Sequence, residues 1–382
     1  MRIKVLSVSG FRSLRDVEWL PRDLNVLIGP NGSGKSNLLQ VLDLLQKAAA
    51  GKLSEEILRQ GGIVPLLYDE RAQTISWILK TTSATEEGRF LYHLTLQRLG
   101  LTSSFRIRDE ILKGDRTRLL ERDTQHINVI DRLGTSINLG SLVPEDEAAL
   151  SRLDIPTVSS PEASEFHRRV LGWDVYHNFR VDRDAPLRQA AVARLERKIA
   201  PDGQNLIPVL HTLYSGNREF KGSVDAAMRA AFGTEYEELV FPPAADQRVQ
   251  LRIRWRSLKT EQSAANLSDG TLRFLLLLAI LANPEPGDLI AIDEPETGLH
   301  PGMFPIIAEL ATAASERTQM IFTTHSPQFL DAFREKTPTT TVAEWVDGET
   351  RLSVLDGDDL QKWLQEYSLG ELYRSGGLEA FA

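Results

Sequence analysis

Gly29-Pro30-Asn31-Gly32-Ser33-Gly34-Lys35-Ser36 sets glycine, lysine and serine in the spacing G-x-x-x-x-G-K-[ST], which suits a polyphosphate ligand. The glycines let successive backbone N–H groups point inward around phosphate oxygens, and a helix starting directly after them presents the positive end of its dipole. Lys35 then neutralises β- and γ-phosphate charge, and Ser36 offers a hydroxyl to Mg²⁺, a hard ion that prefers oxygen. Asn31, Gly32, Ser33, Gly34, Lys35, Ser36 and Asn37 are the candidate nucleotide-binding residues on this reading. A glycine turn that merely happens to precede Lys-Ser is the plain alternative, and a strand before the loop with a helix after it counts against that.

A second chemical group closes the apolar run 289–292, where Asp293 and Glu294 follow Leu-Ile-Ala-Ile. If the run is a core strand, both acids emerge at the carboxyl edge of a sheet, where α/β ligands bind. Successive strand side chains point opposite ways, so Asp293 is placed to hold Mg²⁺ while Glu294 faces the water that attacks the γ-phosphate. Taken alone, the pair also suits a helix N-terminus, where two carboxylates favour the dipole. Leu267-Ser268-Asp269-Gly270 and Thr324-His325-Ser326 complete the set, and by themselves they read as a helix N-cap and a strand-end histidine.

The elements needed to position these groups are visible in the residue pattern. Residues 1–8 and 24–28 read as strands, and leucines and valine at 38, 39, 41, 42, 44 and 45 recur at helical spacing directly after the glycine loop. Strands are predicted at 75–79 and 90–97, and the sequence 249–255 alternates as one further strand. Residues 272–282 form a helix apolar on nearly all sides, 289–292 and 320–323 are core strands, and Trp363, Leu364 and Tyr367 suggest a terminal helix. The expected fold is α/β: one head, 1–382, with a mostly parallel central sheet behind the phosphate loop. Its parts are an N-terminal portion 1–64, an antiparallel β-rich insertion 65–143, an inserted helical lobe 144–245 and a closing portion 246–382.

Bulk properties exclude several classes. The chain has 382 residues and no cysteine, so disulfides, thiolate zinc sites and cysteine nucleophiles are ruled out, which agrees with a cytoplasmic location. Its start lacks the apolar core of a signal peptide, and the longest apolar run, 274–282, is too short to cross a bilayer, so no membrane is expected. A net charge of −9 argues against an all-round basic coat for nucleic acid. Arg248, Arg252, Arg254 and Arg256 hint at a local phosphate-binding strip, although arginine on a solvent face is ordinary protection of a strand edge.

In their order along the chain, the phosphate loop, Leu267-Ser268-Asp269-Gly270, the Asp293-Glu294 strand and His325 resemble the ATP-binding-cassette superfamily of P-loop ATPases. On that resemblance Leu267 to Gly270 match the signature, Glu296-Thr297-Gly298-Leu299-His300-Pro301 the D-loop region, and His325 the switch histidine that senses the γ-phosphate. The resemblance implies a homodimer bridged by ATP, because the signature of one subunit meets the γ-phosphate held by the loop of the other. Ser268 and the amides near Gly270 would supply donors at a helix N-terminus that has no phosphate to meet in its own subunit. The resemblance therefore makes Lys35, Glu294 and His325 the catalytic set and Ser36 and Asp293 the metal ligands. ATP and Mg²⁺ are the implied cofactors. Gln60 is a candidate for the family's Q-loop glutamine, but its neighbours Arg59, Gly61 and Gly62 show no diagnostic pattern, and a solvent-exposed turn glutamine is the reading preferred here.

The start Val8-Ser9-Gly10-Phe11-Arg12-Ser13-Leu14 is similar to the Phe-Arg-Ser opening of RecF/SMC-like ATPases, which implies that Arg12 lies near the nucleotide. Gly-Leu-His-Pro after the acid pair, Thr-Thr-His-Ser-Pro, and 201–206 resemble the single-cassette ATPases grouped with OLD-family and AbiEii-associated proteins. Long heptad arms are absent from the pattern between Ser36 and Leu267. The branch is linked to DNA repair and phage defence, so an effector or nuclease partner chain, and DNA, become expected partners. Asp356-Gly357-Asp358-Asp359, with Glu344 or Glu349, mimics part of a Toprim acid cluster, but a solvated acidic turn is the better reading of so short a tail. Two functions compete: an ATP-hydrolysing engine acting on such a partner, and a nucleotide-gated scaffold that holds or inhibits an effector with little turnover. A small-molecule kinase explains the phosphate loop alone.

Overall fold

The computed structural model describes all residues except 70–71, 83–88, 116, 156–157, 334–335, 356–367 and 375–382. In chain order the strands and helices begin with β1 (Ile3–Phe11), β2 (Leu14–Trp19), β3 (Leu24–Ile28), α1 (Lys35–Ala49) and α2 (Leu53–Arg59). Then come β4 (Thr74–Thr82), β5 (Arg89–Arg98), β6 (Phe105–Lys113), β7 (Arg118–Arg122), β8 (Ile127–Ile130) and β9 (Ser136–Asn138). The middle of the chain holds α3 (Pro161–Leu171), β10 (Asp174–Tyr176), β11 (Ala191–Val192), α4 (Leu206–Gly216), α5 (Arg218–Phe232), β12 (Tyr236–Val240), β13 (Pro243–Ala244), β14 (Arg248–Val249), β15 (Arg252–Trp255) and β16 (Gln262–Ser263). The remainder is α6 (Asp269–Leu281), β17 (Leu289–Asp293), α7 (Phe304–Ala314), β18 (Gln319–Thr324), α8 (Pro327–Leu330), β19 (Thr339–Val346), β20 (Glu349–Leu355) and α9 (Leu369–Arg374).

The site is organised by a six-stranded sheet in the order β10-β17-β18-β3-β19-β20, parallel throughout except for the closing β19–β20 pair. Its central strands are apolar on both faces because each face covers a separate core. Val26 and Ile28 of β3, Ile290 and Ile292 of β17, and Met320 and Phe322 of β18 join one core with α4 to α7. The alternate residues Leu27, Leu289, Ala291 and Ile321 join the other with α1, α3 and the antiparallel strands. This two-sided burial is what near-continuous hydrophobic strands of a parallel sheet require.

An eight-stranded antiparallel sheet, β2-β1-β4-β5-β6-β7-β8-β9, lies over the second core. The antiparallel strands of 65–143 extend the N-terminal strands: β4 pairs along β1, with Leu6 opposite Leu79 and Val8 opposite Trp77, so the two sets bury one shared face. The 144–245 segment is mainly helical but also carries short strands. Its short β10 joins the central sheet beside β17, and its helices divide between the two cores, α3 on one and α4 and α5 on the other. The alternating stretch 249–255 is two strands rather than one. Fully buried Leu251 and a Gln250 amide bonded to the Pro242 carbonyl (3.1 Å) interrupt the ladder, and β14 and β15 pair into different small sheets. The helix expected around Trp363 to Tyr367 falls outside the described residues.

Candidate active site

β3, β18 and β17 are neighbours, and their carboxyl ends lie level: Ile28 pairs with Thr324 and Asp293 with Thr323. The loop after β3, the acid pair after β17 and the histidine after β18 are therefore forced to one edge of the sheet. The glycines of the loop are required by space as well as conformation. A Cβ at Gly29 would stand 2.2 Å from the Ala343 carbonyl oxygen, and one at Gly34, whose φ is 97°, would stand 2.1 Å from Thr350 Oγ1. Either contact would push the loop off β19 and β20.

Lys35 is only 5% exposed, and its Nζ donates to the carbonyls of Gly29 (2.7 Å) and Pro30 (2.9 Å) of its own loop. Burial lowers its pKa, and the charges of Glu294, Asp293 and Glu296 oppose that shift. Ser33 Oγ is buried with no hydrogen-bond partner, while Asn31, Gly32 and Ser36 are exposed. A cradle that excludes Cβ atoms, an orphaned hydroxyl inside it and an ammonium bonded only to loop carbonyls together fit a triphosphate. Exposed Ser36 and the Asp293 carboxylate fit Mg²⁺, which takes few protein oxygens and leaves its other positions to phosphate and water. Among the described residues no cluster of three or more histidines or carboxylates could hold a metal ion by itself. The Asn37 side chain is turned to its neighbours: Nδ2 donates to Ser13 Oγ (2.7 Å) and Oδ1 accepts from Arg12 Nη1 (3.4 Å).

The two carboxylates separate for a reason other than strand alternation. β17 ends at Asp293, and Glu294 has φ 44°, a left-handed conformation that costs a non-glycine residue about 1 kcal/mol. Its amide is held by Thr323, through the carbonyl (3.2 Å) and Oγ1 (3.1 Å), and Thr323 Oγ1 also donates to Asp293 Oδ1. The turn carries Glu294 to His325, whose Nδ1 lies 2.9 Å from Oε1, and to Thr297, whose Oγ1 donates to Oε2 at 3.3 Å. His325 is exposed at the end of buried β18, beside the loop expected to hold the nucleotide.

Glu296, two residues after Glu294, is 7% exposed. Burial raises its pKa, one oxygen accepts from Thr324 Oγ1, and the other has no partner. Thr324 Oγ1 also accepts the Ser326 amide (2.9 Å), so the Glu296 turn and the histidine loop are tied through one hydroxyl. Sequence reasoning gave Glu296 no role beyond its motif. A carboxylate just after two functional acids carries no mark of burial.

Ser268 is the N-cap of α6: its Oγ accepts from the Thr271 amide (3.1 Å), and it remains exposed. A Cβ on Gly270 would stand 2.7 Å from the Gly298 carbonyl oxygen, so this glycine seats the signature segment against the turn after the acid pair. Buried Arg188 braces the same segment from behind. Its Nη1 donates to the Leu267 carbonyl (2.7 Å), its Nε to those of Val181 and Asp182 (both 2.9 Å), and Nη2 pairs with Asp269. No local pattern around Pro186 distinguishes this arginine in the sequence.

Arg12 has φ 46° and its guanidinium meets Asn37 and Gln60 Oε1 (3.2 Å), with burial lowering its pKa. Gln60 is accordingly not the exposed turn residue expected. It is half-buried, accepts from Gln40 and Arg12, donates to Glu56 (2.7 Å), and lines one cleft with Arg12 and Ser36. Two further residues without a motif, His177 and Arg273, line a cleft with Asp293, Glu294 and Thr297. The basic strip is neutralised only in part: Arg254 pairs with Glu238 and Glu261 and Arg256 lies 4.0 Å from Glu237, whereas Arg252 donates to the uncharged Gln250 side chain. Asp356 to Asp359 fall outside the described residues, and Glu349 pairs with Arg15 (3.3 Å). No helix among the described residues is long and apolar enough to cross a membrane.

Residues 24–331 match the family described as "AAA domain, putative AbiEii toxin, Type IV TA system", a span from β3 to α8 that includes the loop, signature, acid pair and histidine. No curated protein matches the chain. Among solved structures it is similar to an SMC head bound to the C-winged helix domain of ScpA, at 15% identity and TM-score 0.59, covering 95% of this chain and all (100%) of that one. A second is the Smc head domain with an extended coiled coil bound to the C-terminal domain of ScpA derived from Pyrococcus furiosus, at 13% identity and TM-score 0.55, covering 95% and 98%. At such identities the likeness is one of fold.

Proposed function

The chain belongs to the AbiEii-type AAA family of P-loop ATPases, in the branch that shares its fold with SMC heads, and from that premise we propose that it hydrolyses ATP with Mg²⁺ as a dimer closed around two nucleotides. The observation that carries the reading is the convergence of Lys35, Asp293, Glu294 and His325 on one sheet edge, while Ser268 caps a helix end open to solvent.

In this reading the loop amides and Lys35 hold the β- and γ-phosphates, and Lys35 exchanges its two carbonyl partners for phosphate oxygens. Ser36 and Asp293 would hold Mg²⁺, which would supply charge compensation for the phosphate oxygens. Glu294 accepts a proton as the water oxygen bonds to the γ-phosphorus, and the bond to the bridging oxygen breaks with its electron pair left on ADP. To do so the carboxylate leaves His325, and that histidine becomes free to hydrogen-bond the γ-phosphate. Ser268 and the first amides of α6 have no phosphate within their own subunit and complete the site of a second copy.

The proposed partner is an effector or nuclease chain in DNA repair or phage defence, DNA itself being a further candidate, and the proposed setting is the cytoplasm. The structures similar in fold are of heads bound to ScpA domains, which supports a head surface that receives another protein. A second reading, a nucleotide-gated scaffold with little turnover, is favoured by the hydrogen bonds that already occupy both oxygens of Glu294. Steady-state hydrolysis with and without partner and DNA separates the two: stimulation supports the engine, and negligible, unchanged turnover supports the scaffold. Glu294→Gln should bind ATP normally, lose at least about 100-fold in kcat and accumulate as a dimer on size exclusion. An unaltered rate would refute the role given to Glu294.

A further inference from the structure

His177 belongs to no recognised motif, yet two clefts meet at it. β10 ends at Tyr176, which lies level with Ile292 of β17, so the next residue, His177, stands beside the Asp293 end of the acid strand. A cleft of ≈ 300 Å³ is lined by His177 with Asp293, Glu294 and Arg273, and another of ≈ 350 Å³ by His177 with Ser36, Arg12 and Gln60. Ser36 and Asp293, the two residues suited to Mg²⁺, thus face spaces that share His177 as a wall. Arg12, Gln60 and Asn37 are all engaged by neighbouring side chains. The His177 imidazole is exposed and makes no hydrogen bond or ion pair among the described residues.

Because the chain offers Mg²⁺ few oxygen ligands, much of the ion's shell falls to water, and those waters need partners. An imidazole is a poor direct ligand for so hard an ion, but it both donates and accepts hydrogen bonds. We propose that His177 is a positioning residue of the nucleotide site, hydrogen-bonding the water shell of Mg²⁺ held at Ser36 and Asp293. The inference rests on the ATPase reading above. It predicts that His177 acts on the metal rather than on the nucleotide.

The test uses the full chain and the non-hydrolysable analogue AMPPNP. Removing an outer partner of a metal site typically weakens metal binding by 10- to 100-fold, so His177→Ala should lower the Mg²⁺ affinity of the AMPPNP-loaded protein roughly 10-fold while metal-free AMPPNP affinity stays unchanged. His177→Gln, whose amide also donates and accepts, should recover part of that loss. With Mn²⁺ in place of Mg²⁺ and ¹⁵N-histidine labelling, electron–nuclear double resonance should show a weak histidine coupling that His177→Ala removes and His325→Ala leaves. Unchanged metal affinity in His177→Ala, with normal Lys35-dependent AMPPNP binding, overturns this inference alone. Absence of AMPPNP binding by the unsubstituted protein sinks the ATPase reading and this inference together.

Discussion

Two helix N-termini carry the proposed chemistry, and they differ in how much of their surroundings the chain itself supplies. α1 begins behind left-handed Gly34, with no side-chain cap, inside a cradle where Lys35 is buried near Asp293, Glu294 and Glu296. α6 begins at Ser268, capped by its own hydroxyl, with Ser268 and Asp269 exposed and Arg188 bracing the segment from the protein side. The first has fixed donors and the opposing charges of its own site. The second has fixed donors that face solvent. On the proposed reading, a helix end held rigid from behind and open in front would receive a ligand carried on another copy.

The largest expected effect removes the first end. Lys35→Ala takes away a buried charge aimed at the phosphates and should weaken ATP binding on the order of 100-fold by calorimetry. Ser268→Arg should leave ATP binding intact and abolish turnover, because it blocks only the contact with a second subunit's nucleotide. The comparison is broken or confirmed by mixing the two inactive proteins. If sites are shared across a two-fold dimer, an equal mixture regains up to about a quarter of the unsubstituted rate, since only one site of each mixed pair has both an intact loop and an intact signature. No recovery on mixing would mean that each chain hydrolyses ATP alone or not at all.

A smaller effect probes how the two ends communicate within one chain. Gly270→Ala places a methyl where the Gly298 carbonyl stands, so either α6 or the turn after the acid pair must shift. ATP affinity should hold while kcat falls about 10- to 100-fold, the scale of losses caused by ångström-sized misplacement of reacting groups. Equal losses in affinity and kcat would point instead to general unfolding, which thermal denaturation would reveal.

Legibility in the sequence followed the range of the interactions. The phosphate loop, β3, α1 and β17 were readable because their determinants lie within a few residues: glycine spacing, helical periodicity, an apolar run ending in acids. What pairs with what was not. β4 reads as a strand from its own residues, but nothing in them shows that it pairs with β1 rather than forming a separate lobe. The split at Gln250 and Leu251 depends on a contact with Pro242, and the pairing of Arg254 depends on glutamates from β12 and the loop before β16. In the site the same division holds. Lys35, Ser36, Asp293, Glu294 and His325 could be named as candidates from local motifs, whereas Gln60 looked like a turn residue until folding placed it against Arg12, and His177 became notable only when β10 joined the sheet beside β17.

The smallest effect concerns the carboxylate that ties the turn after the acid pair to the histidine loop. Glu296 is buried with one oxygen unpartnered, and burial holds its pKa above that of an ordinary glutamate. As pH rises through the ordinary glutamate range the unfolded chain releases this proton and the folded chain resists doing so. The folded state then binds more protons than the unfolded one, and stability falls with rising pH until the folded pKa is passed. Glu296→Gln keeps an acceptor for Thr324 and cannot ionise, so it should match the unsubstituted protein near pH 4 and exceed it at neutral pH by roughly 2 °C in Tm. The gap should widen as pH rises. A gap that narrows or reverses would show a carboxylate ionised in the fold, with Lys35 rather than Thr324 as its governing partner, and would move Glu296 from the scaffold of the histidine loop into the charge balance of the phosphate cradle.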